Sequence, residues 1–381
     1  MFSYRKRDVE KKAIECNFLA NSTEKVLRLL DILEFIHNSE INSLLAPLKG
    51  GTAINLCLLD LERLSVDIDM DFTDNCTREE MLERRKRIDY EIRGFMANEG
   101  YSLSDRSKFV HTLDSYVYSY RTLSNSNDVL KIEINYSDRC HILDIDESVS
   151  SVKLGKSLTI RRLSDAELVG SKLSALLGRT TPRDVYDFYN LINSDLIRDY
   201  SLVKKIALFY IVISAEKPIV FGDILSETVR KIEGLDYNKI RETLLPVIHC
   251  KTKLDIRKMS ETVITKLREM FVLTVDEKQY VECFNNNMFK PEKYVLICRG
   301  TERYVTSSFS SADAYFSFCF SSPVPIRLKS APVSREKFCD KGNSTLAPTV
   351  YPAFHFSATV SAAPFILAIV TPACGMTDTW R

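Results

Sequence analysis

The stretch "LKGGTAINLCLLDLERLSVDIDMDF" runs from Leu48 to Phe72 and holds two adjacent glycines, Gly50 and Gly51, then Thr52, then the alternating acids Asp67, Asp69 and Asp71. A hydrophobic core needs no such pairing, whereas a phosphate site beside a cation site does. Glycines let backbone N–H groups approach a phosphate closely, and a helix that follows presents its positive end. A plain tight turn is the other reading of the same dipeptide. "SVDIDMDF" alternates strictly and predicts a strand. Asp67 and Asp69 then share one face, with Val66, Ile68 and Met70 on the other. Two carboxylates on one face repel each other unless a hard divalent cation such as Mg²⁺ neutralises them, or unless the face is simply solvated. Asp71, at the strand end, is assigned a structural or solvated role.

Two further segments extend the constellation. In "LKIEINY" (Leu130–Tyr136), Glu133 interrupts a strand otherwise built for burial. Such an acid is costly unless it is paired, metal-bound or at a sheet edge. Beside Asp67 and Asp69 it forms a carboxylate triad able to hold two Mg²⁺ ions, one carrying a triphosphate and one activating a hydroxyl. In "SKLSALLGRTTPRDVYDFY", Lys172 sits among Leu168, Val169, Leu173, Leu176 and Leu177, and Arg179 follows seven residues later. Lys and Arg are the side chains that hold phosphates. Asp184 and Asp187 are spaced i, i+3 and share a helix face. Either one orients Lys172 or Arg179, contacts a base or ribose, or belongs to an ordinary salt-bridged helix pair.

Around these motifs the chain reads as α+β. Residues 8–40 are helical, with Val26, Leu29, Leu30, Leu33 and Ile36 on one face. "INSLLAPLKGG" ends in a loop at the glycines, and "TAINLCLLDL" is a short helix. "TREEMLERRKRIDYEIRGFMANEG" is a long helix with a Thr77–Glu80 capping box and Gly100 at its end. "SYVYSYRTL" and "DVLKIEINYS" are strands. "SDAELVGSKLSALLGR" is a helix with a second capping box, Ser164–Glu167. "TPRD" turns into the helix "RDVYDFYNLI", and residues 195–295 are mostly amphipathic helix. The expected organisation is a charged N-terminal segment 1–20, a core 21–160, a helical domain 161–297 that completes the site, and a tail 298–381. The tail is rich in Ser, Thr, Pro, Ala, Phe and Cys and lacks periodicity. It reads as an out-of-frame, fused or disordered segment, or as an unusual β module.

Bulk properties are permissive. The chain has 381 residues, 45% hydrophobic and 27% charged, with a net charge of +1. The N-terminus is charged throughout and has no apolar stretch of the signal-peptide kind. The longest apolar runs, Ala207–Ile213 and Pro364–Val370, fall far short of the roughly 18–20 residues a spanning helix needs. A soluble, cytoplasmic protein without membrane association is expected. Ten cysteines and five histidines are scattered without zinc-ligand spacing.

The ordered set G-G-T, R-x-S-x-D-I-D, I-E-I and K-x₆-R-x₃-R-D-x-x-D resembles the AbiEii toxin family of nucleotidyltransferases, within the polymerase-β-like superfamily. "DEKQYVECFNNNMFKPEKYV" (Asp276–Val295) resembles that family's closing segment, so the resemblance covers roughly residues 20–295. It implies a mixed sheet with flanking helices, followed by a helical domain. It also implies roles for individual residues. Gly50, Gly51 and Thr52 form the phosphate turn, and Asp67 and Asp69 are the metal carboxylates, with Glu133 as third acid. Lys172 binds phosphate together with Arg179, Asp184 or Asp187 is the late catalytic aspartate, and Arg63 and Ser65 buttress the strand or touch nucleotide. The implied activity is Mg²⁺-dependent transfer of NMP from an NTP onto tRNA or other RNA, by the toxin of a type IV toxin–antitoxin system in phage defence. The implied partner is a winged-helix antitoxin. Transfer onto a protein or small molecule, and nucleotide binding without turnover, are the alternatives. "RRKR" (Arg84–Arg87) and Arg161–Arg162 are candidate RNA contacts, or solvated charge.

Overall fold

The computed structural model describes residues 4–72, 76–136, 141–215 and 217–286, with two short strands at 357–359 and 367–369. The remainder of the tail, and the end of the Asp276–Val295 segment, lie outside the described residues. Two helices open the chain, α1 (Lys6–Glu15) and α2 (Ala20–Asn38). The stripe Val26, Leu29, Leu30, Leu33 and Ile36 is buried as its spacing requires; Leu27 and Ile32 are buried too, so α2 is enclosed on more than one face.

The segment expected to run as a loop into the glycines is instead a strand, β1 (Leu45–Lys49). Its pairing is long-range: it runs antiparallel to β2 (Asp67–Phe72), with Lys49 opposite Asp69 and a register shift between Leu45 and Leu48. Pro47 falls in that irregularity, where a residue without an N–H is tolerated. Between the two strands, α3 (Gly50–Ala53) runs on as a π turn, Ile54–Leu58. α4 (Arg78–Asn98) starts with the expected Thr77–Glu80 capping box, and Gly100 follows it at φ +81°. β3 (Ser102–Leu103), β4 (Lys108–Val110), β5 (Leu113–Arg121) and β6 (Asn127–Asn135) then form a meander, and β7 (Ile145–Val149) and β8 (Thr159–Leu163) a hairpin.

All eight join one mixed sheet in the order β3-β5-β6-β2-β1-β8-β7, with β4 also on β5. β2 lies parallel to β6, and β1 parallel to β8. The fold is therefore α+β, as expected. The boundary expected at 160/161 falls inside β8.

Seven helices follow among the described residues: α5 (Asp165–Arg179), α6 (Pro182–Ile192), α7 (Tyr200–Ile213), α8 (Phe221–Glu233), α9 (Tyr237–Thr243), α10 (Ile256–Met270) and α11 (Val275–Asn285). The strands Ser357–Thr359 (β9) and Leu367–Ile369 (β10) pair with each other. The capping box expected at Ser164–Glu167 is absent: Ser164 makes no side-chain cap bond. The fully buried Glu167 instead accepts from Ile142 N (2.8 Å), Leu143 N (2.9 Å) and Tyr210 Oη (2.6 Å). A carboxylate in that position satisfies three donors, the buried Tyr210 hydroxyl among them, so a tertiary demand overrides the local one. A capping box does form one helix later, between Thr181 and Asp184.

α5 carries Lys172 and is held against α7 by a close approach at Gly170. A Cβ there would lie 2.4 Å from Ile206 Cγ2 and 3.3 Å from the Val203 carbonyl oxygen. Gly170→Val is expected to push the helices apart and cost about 1–3 kcal/mol. A thermal melt should show Tm lowered by roughly 3–10 °C.

Candidate active site

The turn after β1, the amino end of β2, the adjoining part of β6 and the first helices of the helical half enclose a cleft of about 490 Å³. Gly50, Gly51, Arg63, Ser65, Asp67 and Asp69 line one side of it, Lys131 and Glu133 the next, and Lys172, Arg179, Arg183 and Asp184 face them. Segments as far apart in the sequence as Gly50 and Thr243 therefore meet in one cavity.

The glycines stand where side chains do not fit. Gly50 has φ +69°, and a Cβ on it would lie 2.7 Å from Asp69 Oδ2. A Cβ on Gly51 would lie 2.6 Å from Arg63 Nη2 and 3.1 Å from Ser65 Oγ. Thr52 is placed differently from its neighbours. It is fully buried, and its hydroxyl donates to the Asp67 carbonyl oxygen, anchoring β2 to the turn.

β2 presents Asp67 and Asp69 on one face, and the parallel register sets Glu133 of β6 beside Asp69. Glu133 thus occupies an interior strand rather than a sheet edge. Burial, then the charges of Asp67 and Glu133, push the Asp69 carboxyl up to about 7, against the opposing pull of Lys49 and Lys131. Asp71, the third alternating acid, is buried and ion-paired to the equally buried Lys49, so its role is structural and not solvated.

The three carboxylates do not close into a metal cage. Glu133 is 2.9 Å from Lys131 Nζ, and among the described residues no group of three His, Cys, Asp or Glu side chains converges on one point. The donor set nevertheless fits Mg²⁺, which keeps most of its waters and takes one or two carboxylates together with substrate phosphates. Burial, and then two neighbouring carboxylates, raise the Asp69 carboxyl, and a bound cation would relieve that cost.

Opposite the carboxylates lies a buried ionic network. Lys172 Nζ donates to Asp184 Oδ1 (2.8 Å) and lies 2.5 Å from Asp187 Oδ2. Arg179 grips Asp184 with two bonds, Nε to Oδ2 (2.7 Å) and Nη2 to Oδ1 (2.8 Å). Arg63 grips Asp187 in the same way, at 2.6 and 2.7 Å. Asn55, on the π turn, donates to the Gly51 carbonyl (2.9 Å) and accepts from Arg63 N (3.2 Å). Burial alone would raise the Asp184 carboxyl; Lys172 and Arg179 overcome it and hold the group well below the usual carboxylate range. Asp187 is held down against burial in the same way, by Arg63 and Lys172. Of the two late aspartates, Asp184 borders the cleft while Asp187 is sealed behind it. Both orient cations.

The basic runs contribute little here. Arg85 pairs with Asp114, Arg87 with Glu40, Arg161 donates to the Asn42 carbonyl, and Arg162 pairs with Asp165. None of these four lines the cleft. The cleft instead includes Lys131, Arg183 and, from α9, Lys239. Lys131 was legible as the residue two before Glu133 on the same strand face, and Arg183 as the neighbour of Asp184. Lys239 carries no sequence signal.

A family model described as nucleotidyl transferase AbiEii toxin, type IV TA system, matches residues 44–265. Among solved structures, the chain is similar to MenT4, a nucleotidyltransferase toxin from Mycobacterium tuberculosis H37Rv. The TM-score is 0.58 at 15% sequence identity, covering 78% of this chain and 100% of that one. No curated protein sequence matches. Among the described residues, no helix is long and apolar enough to cross a membrane.

Asp69 titrates near 7 when folded and near 3.8 when unfolded, so its contribution to stability is present below about pH 4 and lost as the pH rises through 7. Asp69→Asn removes that loss. In metal-free buffer the variant's advantage in unfolding free energy, followed by denaturant titration, should grow from pH 5 to pH 8, towards on the order of 2–4 kcal/mol. Added Mg²⁺ should raise the wild-type Tm above pH 7 and leave the variant unmoved.

Proposed function

The chain belongs to the AbiEii family of nucleotidyltransferase toxins of type IV toxin–antitoxin systems, and from that premise we propose that it transfers NMP from a Mg²⁺-bound NTP onto the terminal hydroxyl of an RNA, with tRNA the leading acceptor. The observation that carries this reading is the meeting, in one cleft, of a glycine turn, a carboxylate pair and a set of buried cations. Transfer of this type needs positioning and charge neutralisation more than covalent help, and the cleft supplies both.

Gly50 and Gly51 open backbone space beside Asp69 for the triphosphate. Asp67 and Asp69, with Glu133 beside them, would hold the metal. When bound, Mg²⁺ neutralises phosphate charge and lowers the pKa of the attacking hydroxyl. Lys172 and Arg179 carry positive charge to the phosphates, and Asp184 and Asp187 keep those cations pointed there. Arg63 ties the carboxylate strand's approach to α6, and Ser65 borders the turn. In the reaction the acceptor oxygen bonds to the α-phosphorus, the bond from that phosphorus to the β-phosphate breaks, and pyrophosphate leaves with the hydroxyl's proton released to solvent. The enzyme acts in the cytoplasm in phage defence, restrained by a winged-helix antitoxin.

The test uses the full chain with each of four α-labelled NTPs, Mg²⁺ and total tRNA. Label on tRNA is expected with one NTP, lost by at least 10³-fold in Asp67→Asn. Label on protein or a small molecule, or on nothing, would overturn the RNA acceptor. Lys172→Ala should lose transfer and also stability, by about 2–4 kcal/mol, because it leaves Asp184 and Asp187 buried with fewer counter-charges. Its Tm should be measured beside its activity.

A further inference from the structure

The cations of the cleft fall into two groups. Lys172 and Arg179 are matched by Asp184 and Asp187, and Lys131 by Glu133. Arg183 and Lys239 line the same cleft, and among the described residues neither has a carboxylate within 4.0 Å. Arg183 is half-buried, and its Nε donates to the Thr243 carbonyl at 2.7 Å. That bond fixes the guanidinium against α9 and leaves both terminal nitrogens without a protein acceptor among the described residues. Burial, and then the charge of Arg63, push Arg183 below its usual value. An unpaired, half-buried cation of this kind is relieved by an incoming anion, and no existing ion pair has to break first.

Arg183 is tied to α9 through Thr243, and Lys239 lies one turn before Thr243 on the same helix, exposed and lining the same cleft. A triphosphate ends within the cleft, whereas a polynucleotide must continue out of it.

We infer that Arg183 and Lys239 form a subsite for backbone phosphate of a polynucleotide acceptor, where α9 borders the cleft. This inference rests on the RNA-acceptor reading above. The two residues would grip the strand near its 3′ end without reading its bases, since phosphate contacts position and do not specify.

The test compares wild type, Arg183→Gln and Lys239→Gln as full chains. Binding of a short single-stranded RNA with a free 3′-hydroxyl is followed by fluorescence anisotropy between about 50 and 200 mM salt. Each variant should flatten the plot of log affinity against log salt by about 0.7, the loss of one phosphate contact on a single strand. In transfer assays KM for RNA should rise roughly tenfold while KM for NTP stays constant, the mark of a contact made by the acceptor alone. Unchanged slopes and RNA KM in a wild type that labels RNA would overturn the subsite and leave the transferase reading standing. A rise in NTP KM in place of RNA KM would also overturn it, by making these residues part of the triphosphate site. If the slopes flatten but label goes to protein, the acceptor reading fails and the acceptor subsite falls with it, because the RNA bound there is not the substrate. A wild type that binds no RNA overturns both. Lys239 is exposed and its removal does not threaten folding, so its variant decides the matter should Arg183→Gln fold poorly.

Discussion

The position of Lys172 between Asp184 and Asp187 governs this structure. An ammonium group buried on a leucine-rich helix is tolerated only where carboxylates meet it, and burying charge without a partner costs several kcal/mol. The two aspartates are themselves fully buried, so each needs more than half of one lysine. Arg179 and Arg63 make up the difference, each with two hydrogen bonds. The network therefore holds one positive charge in excess, and that excess borders the cleft. Facing it, Asp67, Asp69 and Glu133 hold an excess of negative charge that Lys131 only partly offsets. The cleft keeps its opposite charges on opposite walls, the arrangement a magnesium–triphosphate complex matches.

Much of this was legible in the sequence because the motifs are local. Alternation in "SVDIDMDF" fixes a strand and the shared face of Asp67 and Asp69. The i, i+3 spacing of Asp184 and Asp187 puts both on one face of α6. Thr77 and Glu80 form their capping box because nothing else competes for them. Where the sequence misled, a distant partner had intervened. "LAPLK" has a proline and no alternation, and it becomes a strand only because β2 and β8 pair with it on either side. Glu167 has the spacing of a cap, yet Tyr210 and the backbone at 142–143 claim its oxygens. Thr52 carries a further task that no local reading supplies, because its hydroxyl donates to the Asp67 carbonyl. Arginine runs advertise nucleic acid, while Arg85 and Arg87 meet the distant Asp114 and Glu40, which no local reading could supply, and Arg162 meets Asp165 three residues on.

The π turn after the glycines has a related use. It sets Asn55 where one amide side chain reaches the Gly51 carbonyl and the Arg63 backbone. The glycine turn and the Arg63–Asp187 pair are thus braced by the same residue. Widened turns of this kind are rare in helices and gather at functional sites. Here the turn links the flexible-backbone part of the cleft to its most rigid part.

The bond between Arg63 and Asp187 also sets a schedule. Its partners are 124 residues apart in the chain, and β1 cannot complete its pairing until β8 has been made. At about 5–20 residues per second, a ribosome takes roughly 6–25 s to pass from one partner to the other. Through that interval the carboxylate strand exists without the cations that complete the cleft. The two walls of the cleft are therefore made at different times, and Arg63 has no buried carboxylate to meet until the α6 segment has been synthesised.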